Sequence, residues 1–452
     1  MLSYPGARCY QYELPFNLIH IDHGLCLAKR GAWAKYDYCL SLNSYIETLL
    51  NDFKAWLNCS RFHKKKYAIA FDMLLANLLT AHYIESQLLL SRDNTHYVHS
   101  VLNPERISNK TLKICCDYLA EKNLIALLIG KANQHDLNAS WCIPLMPLIA
   151  DLEKNKARVL LRENTQLAIV RDKDHSPIER YTNRNKALEL ARLEQPVKNY
   201  YQTWLNHTAT LGGNYLLPWL KRIFNERMDY GGRFYGSYQN LPAIDRARIL
   251  IDGSPTVEPD YRAIHFHILY ALEGLQFVGD PYLIRGYEEL RQTFKLLCLQ
   301  LVNIENISAF KACITKSADP DLQHRFSEYK AKREAYERCK AMGLKAYAPT
   351  KSKAFEGFIE GIPQGVTGDE LLSLLLERHK PIAHHFGTDK IGLRLQRLDS
   401  DVMACALDRL QGIPCLPVHD SIRCKVSDLG AVKSAMKTAF HETMNQSIHV
   451  DC

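Results

Sequence analysis

Two aspartates far apart in the chain, Asp260 and Asp420, each fall where an apolar run meets a turn. Between them lies a segment of helical character, Tyr287 to Val302, that carries Arg291 and Lys295. This constrains the fold more than any other feature. The stretch from Gly231 to Asn303 closes into a working unit only when Asp420 is added. Two separated carboxylates with a basic helix between them are the minimal parts of a two-metal phosphoryl-transfer site.

The local pattern says how each part is held. Thr256-Val257 ends a short apolar run and Pro259 limits further pairing, so Asp260 is expected just past a strand end. Ile264, Ile268, Leu269 and Leu272 then follow at helical spacing. A carboxylate at a strand-to-helix junction is exposed yet rigidly held, as metal ligation needs. Asp420 lies between Cys415–Val418 and Ile422–Val426, which read as a hairpin with His419-Asp420-Ser421 at its tip. Either aspartate alone reads as a turn former, and the pair becomes informative only with the helix between them. In the helix, Arg291, Lys295, Leu299 and Asn303 recur at four-residue steps and share one stripe, whereas Leu290, Phe294, Leu297 and Leu301 form a second, buried one. Two cations one turn apart can clamp a triphosphate, with arginine adding bidentate geometry.

The 452 residues suffice for two or three domains, and a net charge of +8 suits a polyanionic partner without demanding one. No run is long and apolar enough to cross a bilayer, and the N-terminus lacks the layout of a signal peptide. Fourteen cysteines without a Cys-x-x-Cys pair point to reduced thiols in an intracellular, cytoplasm-like compartment and to no zinc site among them.

Four regions are expected. Residues 1–65 form an N-terminal region without an assigned role. In 66–155, apolar residues from Tyr67 to Leu90 recur at helical spacing, and a second helix starts at Ser108 as N-cap. A hairpin follows, from Leu124–Ile129 through Gly130 and the polar turn 133–138 to Trp141-Cys142-Ile143. That is the order of a winged helix-turn-helix, a duplex-binding module; a small helical domain whose hairpin merely packs fits equally well. Asp151-Leu152-Glu153 reads as a helix after the wing. Residues 156–228 read as mainly helical and thumb-like after a strand pair around Val159–Val170, with a basic segment from Asn183 to Leu193. Residues 229–452 form the catalytic core. Within it, the basic stretch Arg325–Lys353, including Lys345, is interleaved with Tyr329, Tyr336 and Tyr347. It suits a nucleic-acid groove, or a solvated helix whose Glu328, Glu334 and Glu337 pair along it.

These motifs together resemble the palm and fingers of family A DNA polymerases, the superfamily that includes the phage-type single-subunit RNA polymerases. The resemblance spans roughly residues 225–430 in collinear order. Gly232-Arg233 with Gln239-Asn240-Leu241-Pro242 is similar to the family's stretch lining the primer–template, and Asp260-Tyr261-Arg262-Ala263-Ile264 to its first catalytic motif. Arg291-x-x-x-Lys295 resembles its nucleotide-binding helix. Gln396, Asp401, Val402, Met403 and Ala406 resemble its late palm helix, and His419-Asp420 its last motif.

The resemblance implies an α+β right-hand polymerase: a palm with an antiparallel sheet, short fingers and a helical thumb, plus a mainly helical N-terminal region. Asp260 and Asp420 would be catalytic and would hold two Mg²⁺ ions, which Mn²⁺ can replace. Arg291, Lys295, Leu299, Asn303 and His265 would face the nucleotide; Arg233, Gln239, Asn240, Gln396 and His419 would hold the DNA primer–template. The expected function is DNA-directed DNA synthesis from dNTPs in replication, with no membrane partner. Several positions depart from the family. Asn303 and Leu299 replace aromatic or methionine positions, His265 replaces the glutamate that excludes ribose, and Ser421 is the RNA-polymerase form. RNA or primer synthesis from NTPs is therefore the enzymatic alternative, and a nucleic-acid-binding replication protein with a degenerate palm is the non-enzymatic one.

Overall fold

The computed structural model describes residues 31–33, 38–83, 86–91, 103, 105–129, 139–162, 165–178, 184–304, 306–341 and 347–452. Gly130 with the 133–138 turn, Asn183, Lys345 and most of the N-terminal region lie outside the described residues. The chain is α+β with antiparallel sheets, and it divides into two compact units. One comprises residues 1–221 and 236–255, the other 222–235 and 256–452.

The first unit is built on the helix Lys64–Tyr83. Its run from Ala70 to Leu79 holds no glycine or proline and is buried throughout except at Asp72, so the helix is a core element rather than a surface one. Phe53, Phe71 and Tyr118 pack edge-to-face beside it, with ring centres 4.9–5.8 Å apart. The helical periodicity read up to Leu90 stops sooner. Gln87–Ser91 is a strand with Leu88, Leu89 and Leu90 buried, and a run this short and apolar has no period of its own to separate helix from strand. It pairs with Ala139–Pro144, which also pairs with Ile125–Ile129. Ser108 caps the helix Asn109–Glu121 by accepting from the Thr111 N–H at 3.3 Å. Asp151-Leu152-Glu153 lies in the helix Met146–Lys154.

Two further expectations are corrected. Val159–Leu161 and Ala168–Arg171 are strands, but Val159–Leu161 pairs with Tyr38–Leu40 instead of with its neighbour. The stretch from 156 to 228 holds one long helix, Arg184–Trp204, followed by strands. Ala209–Leu211 and Asn214–Leu216 form a hairpin around Gly212-Gly213, and Leu250–Ile251 joins it. Both glycines have positive φ, which a two-residue turn requires and which no composition average over the region registers.

The second unit holds an antiparallel sheet around the strand Ser421–Lys425. Cys415–Val418 lines one edge of it. Along the other edge run Thr256-Val257 and then Asp260–Tyr261, interrupted by Glu258-Pro259. Val450–Asp451 closes the far side of Asp260–Tyr261. The helices Ile264–Leu272, Ile391–Arg409 and Leu429–Met444 supply the core with Ile268, Leu269, Leu395, Val402, Met436 and Phe440. Leu272, read as part of the apolar stripe, is exposed at the last turn of its helix. Between the first two of these helices lies an all-helical insertion: Arg291–Leu301, Ile307–Ser317, Pro320–Ala341 and Gly368–Arg378.

Candidate active site

The sheet register decides where the two aspartates meet. Asp260 stands opposite Ser421, and the Tyr261 N–H donates to the Asp420 carbonyl at 3.2 Å. Pro259 does interrupt the ladder, but the chain rejoins the sheet at once. Asp260 is therefore in a strand, not past one, and it lies diagonally across from Asp420. The chain leaves this spot sharply on both strands. Ala263 (φ 49) turns it into the helix Ile264–Leu272, and His419 (φ 57) makes the turn between Val418 and Ser421. Left-handed backbone at two non-glycine residues beside one site is the kind of strain that working sites carry.

Charge separates these two acids from their neighbours. Glu258 receives Arg423 through both Nε and Nη2, at 3.1 and 2.6 Å, and the Ser421 hydroxyl at 2.9 Å. Asp451 receives Arg262 at 2.8 and 2.7 Å. Asp399, only 2% exposed, accepts from Arg233 at 2.5 Å and lies 2.8 Å from His265 Nε2. Asp401 accepts from Arg222 at 2.6 Å and pairs with Arg397. Among the described residues, Asp260 and Asp420 form no ion pair. Partial desolvation first, then the carboxylates of Asp420, Glu258 and Asp451, push the Asp260 carboxyl up to about 7. Burial likewise raises Asp420, with Asp399 adding to it against the opposing pull of Arg233 and His265.

A buried scaffold supports this pair. Arg222, 1% exposed, lies 5.2 Å from the ring centres of both Phe224 and Phe234. It donates to the Gly232 carbonyl at 2.7 Å and to Ser400 Oγ at 2.9 Å, and burial lowers it to about 10, so it remains charged at neutral pH. Gly232 must be glycine: its φ is +76, and a Cβ there would stand 2.5 Å from the Phe224 ring.

The other residues singled out above fall as follows. Arg233 and His265 are joined by Asp399 beside the acid pair. His419 sits at the tip, its ring 6.4 Å from that of Tyr235. Gln396 is half-buried on the helix Ile391–Arg409. Arg291 begins its helix and donates to Asp280 at 2.7 Å, 5.9 Å from the centre of the Tyr282 ring. The Tyr282 phenol is raised by burial first and, further down, by the Asp280 and Asp420 charges. Lys295, one turn on, is exposed and without an ion pair among the described residues, and Leu299 is exposed beyond it. Asn303 donates to the Leu299 carbonyl at 2.8 Å, and its side-chain oxygen fills the space next to Gly392. Gln239 and Asn240 belong to the first unit, where Gln239 accepts from the Gly236 N–H at 3.1 Å.

The basic helix Pro320–Ala341 is mostly exposed; Lys330 pairs with Glu360, and Tyr329 packs on Phe355. Sequence reasoning missed Glu258, Asp399, Asp451 and Asp280. Only Glu258, two residues from Asp260, carried a local signal. A cavity of about 480 Å³ in the first unit, with Trp204, Trp219, Lys156 and Arg158 among its lining, holds no carboxylate pair.

The second unit thus presents two carboxylates that meet on an antiparallel sheet without an ion pair among the described residues, and it also holds a helix whose Lys295 is exposed. No protein-family model matches the chain, and no curated protein matches it. Among solved structures it is similar to the POL domain of Pol1 from M. smegmatis in complex with DNA primer-template and dNTP, at 10% identity over 96% of this chain and 70% of that one. The TM-score is 0.24, and at that level the likeness carries no argument about this chain. Among the described residues, no helix is long and apolar enough to cross a membrane.

Proposed function

We propose that this chain is a template-directed nucleotidyltransferase, a DNA-dependent DNA polymerase of the family A type. The observation that carries the reading is the contrast in charge. Each neighbouring acid has an arginine ion pair, while Asp260 and Asp420 have none among the described residues, and the Asp420 charge raises Asp260. A protein leaves two carboxylates in that state where a cation is to join them. The donor set is carboxylate oxygen alone, which fits Mg²⁺ or Mn²⁺. When bound, such ions activate an attacking hydroxyl and neutralise a transferring phosphate.

The chain's own residues take the remaining tasks. Lys295 and Arg291 bind triphosphate oxygens, with Asp280 setting the direction of the Arg291 guanidinium. His419 positions the primer end. Arg233, Gln239, Asn240 and Gln396 hold the primer–template through backbone or minor-groove contacts. Residues 229–452 act as palm and fingers, 156–228 as the thumb, and 66–155 as a duplex-binding wing. The test is primer extension on a DNA template with dNTPs and NTPs supplied separately, alongside Asp260→Ala and Asp420→Ala. Extension lost in both variants, with duplex binding kept, supports the reading. Extension at near wild-type rate by either variant overturns it.

A further inference from the structure

Away from the acid pair, the second unit holds a cluster with a different donor chemistry. Glu273 caps the C-terminal end of the helix Ile264–Leu272. His384 and His385 end the short 3-10 segment Lys380–His385. Their Nε2 atoms converge on one oxygen, Glu273 Oε1, at 3.2 and 2.8 Å, and the two rings lie 4.2 Å apart. All three potential ligand atoms lie within 4.8 Å of one another.

We propose that Glu273, His384 and His385 form a binding site for a transition-metal ion of the Zn²⁺ class, with water in the fourth position. Two imidazoles and one carboxylate are the ligand types that Zn²⁺ takes, at about 2.0–2.2 Å each, which sets tetrahedral ligand–ligand edges of roughly 3.4 Å. The two N···O separations fall short of that edge by a few tenths of an ångström. Side-chain rotation of exposed groups supplies this, so the backbone need not move. The backbone under the cluster is fixed by buried neighbours on both elements: Leu269 and Tyr270 on the helix, Ile382 and Phe386 on the segment. The Thr388 hydroxyl donates to the His385 carbonyl at 2.7 Å and holds the turn.

Without a cation, the convergence of three side chains, one of them mostly exposed, brings little stability and costs rotamer freedom. With one, both imidazole lone pairs and the carboxylate charge serve a single centre. The donor sets also sort the metals. Asp260 and Asp420 offer oxygen only, which suits Mg²⁺, while imidazole nitrogen favours the later transition metals. The ion would clip the end of the helix that follows Asp260 to the segment that precedes the helix carrying Asp399 and Asp401. The proposal does not depend on the polymerase reading.

The experiment uses the full chain, stripped with a chelator and then held in millimolar Mg²⁺ to occupy the oxygen sites. Zn²⁺ is titrated against a chromophoric chelator, and Co²⁺ spectra report coordination geometry. The expected result is one Zn²⁺ per chain that Mg²⁺ does not displace, with tetrahedral Co²⁺ bands. Affinity falls at least about tenfold in His384→Ala, His385→Ala and Glu273→Gln. Melting in the presence of chelator should be close to wild type for all three variants, and Zn²⁺ should raise it only in the wild type. No stoichiometric Zn²⁺, or equal binding by the wild type and all three variants, as the chain's many thiols would give, overturns the proposal.

Discussion

Replacing Asp260 by asparagine should make the metal-free protein more stable at pH 8 while removing its chemistry. The carboxyl is pushed from 3.8 to about 7 by partial desolvation and by Asp420, Glu258 and Asp451. The unfolded chain loses this proton near its ordinary value, whereas the folded chain keeps it until about pH 7. Between about pH 4 and 7 the folded state therefore binds more protons, and stability falls as pH rises through that window. Above pH 7 the penalty is fully present. At face value the rise corresponds to about 4 kcal/mol. Asp260 is exposed, and solvent screening reduces the figure to about 1–2 kcal/mol. For a unit of roughly 200 residues that is a gain of about 2–8 °C in melting temperature. Differential scanning calorimetry in chelator, at pH 5 and pH 8, is the assay. Asp260→Asn should gain at pH 8 and much less at pH 5, and Mg²⁺ should raise the wild type more than the variant. An equal effect at both pH values, or a loss at pH 8, would refute the charge argument.

Three further outcomes follow from the same geometry. Asp399→Ala leaves the Arg233 guanidinium unpaired in a largely buried setting and should cost about 3–5 kcal/mol in urea unfolding, with a changed dATP-to-ATP incorporation ratio because His265 loses its anchor; a cost below 1 kcal/mol would show that the network is idle. Lys295→Ala should raise the apparent nucleotide requirement about tenfold or more, from the loss of a charge-assisted contact of roughly 1.5–3 kcal/mol, and Arg291→Ala should do less because Asp280 already holds that guanidinium; unchanged constants for both would show that these cations are only solvated surface charges. Gly232→Ala should destabilise by about 1–3 kcal/mol in thermal melts, against a smaller loss for Gly274→Ala, where φ is also positive but nothing stands within 4 Å; equal losses would leave backbone strain as the sole cause.

Much of the fold could be read from local pattern because its parts are local. Ser108 as a cap, the Cys415–Val418 hairpin strand and the buried stripe of Phe294, Leu297 and Leu301 each follow from spacing within one turn or one strand pair. Periodicity failed where the segment was too short to show a period. Leu88 to Leu90 became a strand, and the chain after Trp204 became a hairpin.

The sequence by itself determined that Asp420 sits at a hairpin tip and that Arg291 and Lys295 share a helix face, whereas it put Asp260 one step past the strand it occupies. The first two could be read because turn chemistry and helical spacing act over a few residues. Tertiary structure alone decided which acids stay uncompensated. Arg423 reaches Glu258, Arg262 reaches Asp451 and Arg233 reaches Asp399 across gaps of well over a hundred residues. Charge pairing depends on distance in space, and no local pattern records which guanidinium will arrive at which carboxylate. The same holds for Glu273 with His384 and His385, which lie more than a hundred residues apart in the chain and meet only in the folded structure.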